Sequence, residues 1–148
     1  MKQQNLQTKK DNKVNTVYED ILHKSDLKIT RNRMEVLRLF YNSNKPITHN
    51  YVMEHLPEAE NWDRVTIYRT LSEFAEKKII RQLISNDRVS YFELIKDESS
   101  HGHFVCDICG KIECLKSDSL KVEITKQNFK YQIFSFEVLA HGKCGECI

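Results

Sequence analysis

Between residues 14 and 95 the apolar positions change period once, and the change separates a run of helices from a hairpin. Val17, Ile21 and Leu22 recur at helical spacing within Val14–Lys24 and predict a first helix. Thr30 can cap a second helix, Arg31–Tyr41. Its stripe is Met34, Leu37 and Phe40, flanked by Val36 and Leu39. Pro46 ends the connection, and Thr48 caps a short third helix that runs through Leu56 and stops at Pro57. A fourth helix is predicted over Asp63–Lys78, with Ile67, Leu71 and Phe74 inward. The period then drops to two. Ile80–Ile84 and Val89–Leu94 alternate as strands around an Asn86-Asp87 turn.

Three helices, a fourth helix with a polar and basic outer face, and a hairpin follow the order of a winged helix-turn-helix. The polar stretch around 96–102 reads as a hinge. Beyond it, His103–Cys106 predicts a strand, Asp118–Asn128 a helix, and the β-branched and aromatic Tyr131–Leu139 another strand. The expected fold class is α+β. A winged-helix domain over 17–95 precedes a small α/β domain over 103–148, and residues 1–16 form a disordered tail.

Composition adds constraints. The chain has 148 residues and a net charge of only +2, so total charge alone does not call for nucleic acid. Lys2, Lys9, Lys10 and Lys13 against Asp11 make the tail basic. Two halves of this size have thin cores, which favours a metal staple or a dimer interface. Ile133–Phe134 and Val138–Ala140 are too short to span a bilayer, and no apolar stretch resembling a signal peptide follows Met1. A cytoplasmic protein with no membrane partner is expected. In that reducing compartment five cysteines, all in the last 43 residues, point to metal before disulfides.

Cys106-Asp107-Ile108-Cys109-Gly110 and Cys144-Gly145-Glu146-Cys147 are two CxxC knuckles. Each places two thiolates on one tight turn, with Gly110 and Gly145 supplying backbone freedom. Four thiolates suit tetrahedral Zn²⁺ in a closed structural site at Cys106, Cys109, Cys144 and Cys147. One pair alone fits a redox motif equally well. A thiol oxidoreductase, however, expects its CxxC at a helix N-terminus after a βα unit, and no such unit precedes either pair.

Val65-Thr66-Ile67-Tyr68-Arg69-Thr70-Leu71 resembles the recognition-helix signature of the ferric uptake regulator family. Leu27-Lys28-Ile29-Thr30-Arg31-Asn32-Arg33, Phe92-Glu93-Leu94, the segment His101–Gly110 and the closing Ala140-His141-Gly142-Lys143-Cys144 with Cys147 are similar to further family motifs, in the same order. The resemblance implies a homodimer paired through its C-terminal domains. It also implies a repressor that binds a palindromic, A·T-rich double-stranded DNA operator when a second, regulatory metal is present. A zinc uptake regulator is one such type.

For that regulatory site, His101 and His103 alternate along a strand entrance and share a side. By the resemblance, Glu93 falls where iron sensors use a carboxylate. Cys114, with Glu113 beside it, falls where they place a second one. A thiolate favours Zn²⁺ over Fe²⁺ or Mn²⁺, so zinc or iron is expected as corepressor, with manganese an alternative. His49 is a further possible ligand from the DNA-binding domain. A third metal site of some members is expected to be missing, because Ser100, Gly102, Lys121 and Phe136 occupy its positions. His23 and His55 read as solvated, and His141 as a structural neighbour of the second knuckle.

With Ile67, Leu71 and Phe74 inward, Arg69 faces out and Tyr68 lies on the flank. Arg64, Thr66, Tyr68 and Arg69 are the expected DNA contacts of the fourth helix in a major groove, and Lys28 is expected to reach a minor groove. An enzyme is not expected: no HExxH motif appears, and no small-molecule substrate is implied. The alternatives are a peroxide sensor of the same family, in which an aspartate commonly completes the regulatory site, and the thiol oxidoreductase.

Overall fold

The computed structural model describes residues 15–58, 61–85, 88–96, 102–115, 130, 132 and 137–148. The tail over 1–14, most of the 96–102 hinge, His101, Ser100, the predicted helix Asp118–Asn128 with Lys121, and Phe136 lie outside these residues.

Helix α1 (residues 15–24), α2 (Arg31–Asn42), strand β1 (Ile47–Thr48), α3 (His49–His55), α4 (Arg64–Glu76), β2 (Ile80–Ile84) and β3 (Ser90–Leu94) form the first part. The Thr30 and Thr48 caps act as the sequence predicts, and Asp63 adds a third. Thr30 accepts from the Arg33 amide at 3.4 Å, Thr48 from Tyr51 at 3.1 Å and Asp63 from Thr66 at 2.8 Å, which satisfies N-terminal amides that have no partner inside the helix. Asp63 is thus a cap rather than a helical residue. At the other end Lys78 takes a left-handed φ of 56°, and the Ile79 amide reaches back to the Phe74 carbonyl at 2.8 Å. That closes α4 two residues before the predicted end.

Val36, Leu37, Phe40, Val52, Ile67, Leu71 and Phe74 are buried together. In α1 the buried residues are Tyr18 and Leu22, while Val17 and Ile21 are half-buried, a small rotation from the predicted face. β1 is an element the sequence reading treated as connection. It pairs antiparallel with β3, Ile47 opposite Phe92, and gives the wing sheet the order β1-β3-β2.

The second part is a sheet of order β5-β4-β6, with β4 (Gly102–Cys106), β5 (Ile112–Cys114) and β6 (Val138–Gly142). β5 was not predicted. Most of the predicted strand Tyr131–Leu139 lies outside the described residues; β6 runs past the expected Leu139 to Gly142. It lies parallel to β4, Cys106 opposite Gly142. A parallel partner needs a long crossover, which is how the second CxxC returns to the first.

The two sheets meet through alternate residues. Leu83, Val105 and Ile112 are buried together with Tyr91 packed on them. Two residues along the same strand faces lie Arg81, Glu93, His103 and Cys114.

Candidate metal centres and nucleic-acid face

The sulfurs of Cys106, Cys109, Cys144 and Cys147 all lie within 4.8 Å of one another. Four thiolates about 2.3 Å from a tetrahedral zinc ion stand about 3.8 Å apart, and the Cys109 and Cys144 sulfurs are 3.7 Å apart. β4 ends on Cys106, a turn carries Cys109, and the turn after β6 carries Cys144 and Cys147. Backbone amides of Cys109 and Cys144 lower the Cys106 thiol, which favours the thiolate form that ligates a metal, while the neighbouring sulfurs hold the Cys109 and Cys147 thiols up. The Cys144 amide donates to Cys106 Sγ at 3.3 Å. The donor set therefore fits a closed zinc site.

The two turn glycines differ. Gly110 has φ 71°, where a side chain is strained. Gly145 does not need its freedom: its φ is not left-handed, and a Cβ there meets nothing within 4 Å. His141 pairs through Nδ1 with Asp107 Oδ1 at 3.1 Å. It ties β6 to the first knuckle, whereas the sequence placed it beside the second.

The second cluster joins Glu93, His103 and Cys114, with ligand atoms again within 4.8 Å. Glu93 comes from the wing strand β3; His103 and Cys114 come from the other sheet and sit opposite each other in it. His103 Nε2 is 3.0 Å from Glu93 Oε2, and the Cys114 thiol donates to the same oxygen at 3.5 Å. Arg81 reaches Glu93 Oε1 at 3.4 Å and Glu137 Oε1 at 3.8 Å. Burial, then the charge of Glu93, pushes the Cys114 thiol up to about 11. A carboxylate, an imidazole and a thiol converging on one point suit a divalent transition metal, and the thiol suits zinc.

Two predicted members of this cluster are elsewhere. Glu113 pairs with Phe104, one residue out of step with Cys114, so strand alternation turns it to the opposite face, where it meets Lys111 at 2.9 Å. His49 lies at the start of α3. Its ring is buried against Tyr68, and its Nε2 is 3.4 Å from the Arg64 carbonyl. The 15 residues from His49 to Arg64 bring α3 and α4 together, and this packing holds the histidine away from the cluster.

On α4, Val65, Tyr68 and Arg69 are exposed, and Arg64 donates to Asn50 Oδ1 at 2.8 Å. Thr66 is committed to the cap, its hydroxyl donating to Asp63 at 2.7 Å. Exposed Lys28 sits in a segment held by Arg33, which donates to the Lys28 carbonyl at 2.7 Å and to Glu73 on α4 at 2.8 Å. Sequence reasoning missed Arg81, the cation beside the second cluster; its pairing across β2–β3 was the one signal that could have found it.

The model of the ferric uptake regulator family matches residues 24–141. The chain is 29% identical over 135 residues to the ferric uptake regulation protein of Bacillus subtilis, covering 85% of this chain and 89% of that protein. Among solved structures, the Helicobacter pylori ferric uptake regulator superposes with a TM-score of 0.71 at 20% identity, over 92% of each chain. A zinc uptake regulator complexed with zinc and DNA superposes with a TM-score of 0.56 at 23% identity, over 92% of this chain and 93% of that one.

Proposed function

Because this chain belongs to the ferric uptake regulator family, we propose that it is a metal-dependent, dimeric DNA-binding repressor of the cytoplasm with zinc as its regulatory ion. The observation that carries the proposal is the meeting of Glu93, from the wing sheet, with His103 and Cys114, from the other sheet. Residues 17–95 act as the DNA-binding domain and 103–148 as the dimerisation domain. The two clusters divide the work. Cys106, Cys109, Cys144 and Cys147 hold zinc permanently and clamp the end of a small domain. Glu93, His103 and Cys114 hold a second ion whose presence depends on supply.

Glu93, His103 and Cys114 already meet across the two sheets; they would hold such an ion as an added crosslink that fixes the orientation of the wing domain on the dimerisation domain. In a dimer that orientation sets the separation of the two α4 helices. Half-sites spaced one helical turn, about 34–36 Å, accept a narrow range of separations. A coupling of about 1–3 kcal/mol is enough to change operator affinity 5–150-fold. Arg64, Tyr68, Arg69 and Lys28 supply the contacts, and the zinc- and DNA-bound relative supports both halves of the reading.

The thiolate separates this reading from a peroxide sensor. The cluster offers a soft sulfur where an oxygen ligand would favour Fe²⁺ or Mn²⁺. The test is operator affinity of the chain, stripped of loosely held metal, with Zn²⁺, Fe²⁺ and Mn²⁺ added separately. Zinc is expected to raise affinity most; equal affinity with and without any of the three would refute the switch.

A further inference from the structure

We infer that His49 is a positioning residue for DNA reading: its imidazole is the shelf that holds the Tyr68 ring in place on the outer face of α4. The inference rests on α4 being the reading helix. The His49 and Tyr68 ring centroids are 3.7 Å apart and their planes differ by 13°, so the rings overlap face to face. The two residues differ sharply in exposure. His49 is 5% exposed, whereas Tyr68 is 56% exposed. One face of the tyrosine therefore lies on the imidazole, and the rest of it is presented to solvent.

The local sequence dictates this placement. Thr48 caps α3, which makes His49 its first helical residue, and α3 packs its buried face on α4. There His49 touches two residues one helical turn apart, Arg64 and Tyr68. Its Nε2 meets the Arg64 carbonyl at 3.4 Å, while its buried Nδ1 has no partner. The consistent tautomer carries the proton on Nε2 and donates it to that carbonyl, with the Asn50 side chain beside the ring. Burial holds the imidazole below its ordinary range, and the neighbouring Arg64 charge acts in the same direction. The shelf is thus an uncharged flat ring.

Asn50, the next residue, accepts from the Arg64 guanidinium at 2.8 Å. The first turn of α3 therefore steadies two outward groups of α4, one aromatic and one cationic. Burying a polar imidazole costs free energy, and a plain packing role is better served by an aliphatic residue. An imidazole there gains by stacking. An exposed tyrosine on a bare helix samples several rotamers, and fixing it on binding costs roughly 2- to 13-fold in affinity. A tyrosine already stacked avoids much of that loss.

The experiment uses the full zinc-loaded chain and a fluorescent duplex selected from a random pool by the wild-type protein. His49→Ala is expected to weaken binding about 3- to 10-fold, and His49→Phe, which keeps a flat ring, to stay within about twofold. On a Tyr68→Ala background, His49→Ala is expected to add nothing, because the shelf acts only through Tyr68. In the DNA-free protein, the ring-proton resonances of Tyr68 should be displaced by the neighbouring ring in wild type and His49→Phe, and revert in His49→Ala. Should His49→Ala fail to fold, His49→Leu fills the volume without a flat ring and carries the same expectation. Wild-type affinity in the ring-less variant, or an equal loss with and without Tyr68, overturns the inference. If that happens while Tyr68→Ala and Arg69→Ala still weaken binding, α4 remains the reader and only the shelf is wrong. If Tyr68→Ala and Arg69→Ala bind like wild type, the reading of α4 falls and the shelf with it.

Discussion

Replacing Cys114 with Ser isolates one ligand of the second cluster and one proton. The Cys114 thiol donates to Glu93 Oε2 at 3.5 Å, and burial followed by the charge of Glu93 pushes it up to about 11. Throughout the window from about pH 7.5 to 8.5, well below that value, the metal-free thiol keeps its proton. A metal takes sulfur as thiolate, so each ion bound at the cluster must release that proton. The ligating form is the deprotonated one, so higher pH favours binding. Cys114 alone raises the affinity by about tenfold per pH unit in this window. A serine hydroxyl does not ionise there, so Cys114→Ser should show a plot of log affinity against pH that is shallower by about one. Its affinity should also fall by more than about 100-fold, the upper end of what losing a mere outer partner of a ligand costs. The assay is competition with a chromophoric zinc chelator at several pH values, on protein whose four-cysteine zinc is verified by metal content. Equal slopes in the two proteins, or unchanged zinc affinity in the variant, would refute the argument that this thiol is a ligand.

Cys106→Ser or Cys144→Ser should strip the tightly held zinc and lower the thermal stability of the dimer, since that site contributes directly to folding; a stable, zinc-free dimeric variant contradicts it. Arg69→Ala should cost about 1–3 kcal/mol of operator binding if it reads a base, or reduce the salt slope by about one if it meets a phosphate. Fold and zinc content should be unchanged, as circular dichroism and metal analysis would report. Phe74→Ala, at a fully buried site in the helical core, should destabilise the first domain by about 3–5 kcal/mol in a urea titration. The His49 imidazole is held below its unfolded value, mainly by burial. It therefore contributes stability that is present above about pH 6.5 and is lost as pH falls through the lower folded value; in His49→Phe this part of the acid-side loss should disappear.

The order of helices and hairpin was legible in the sequence because period and caps are local. Thr30 and Thr48 each bond an amide three residues on, and Ile67, Leu71 and Phe74 share a face by helical spacing alone. The four cysteines were legible as a set because each pair shares one short turn. Strand β1 was hidden: two residues, Ile47 and Thr48, have no period, and they become a strand only because β3 offers a partner. The choice between Glu113 and Cys114 was hidden for a similar reason. Alternation puts adjacent residues on opposite faces, but only the pairing of Cys114 with His103 says which face meets Glu93. His49 shows the same limit in the other direction. Its chemistry allows it to be a metal ligand, and its spacing from the cap does not forbid that. The packing of α3 on α4 instead puts its ring under a tyrosine 19 positions further along the chain, a contact that exists only once the helices have docked.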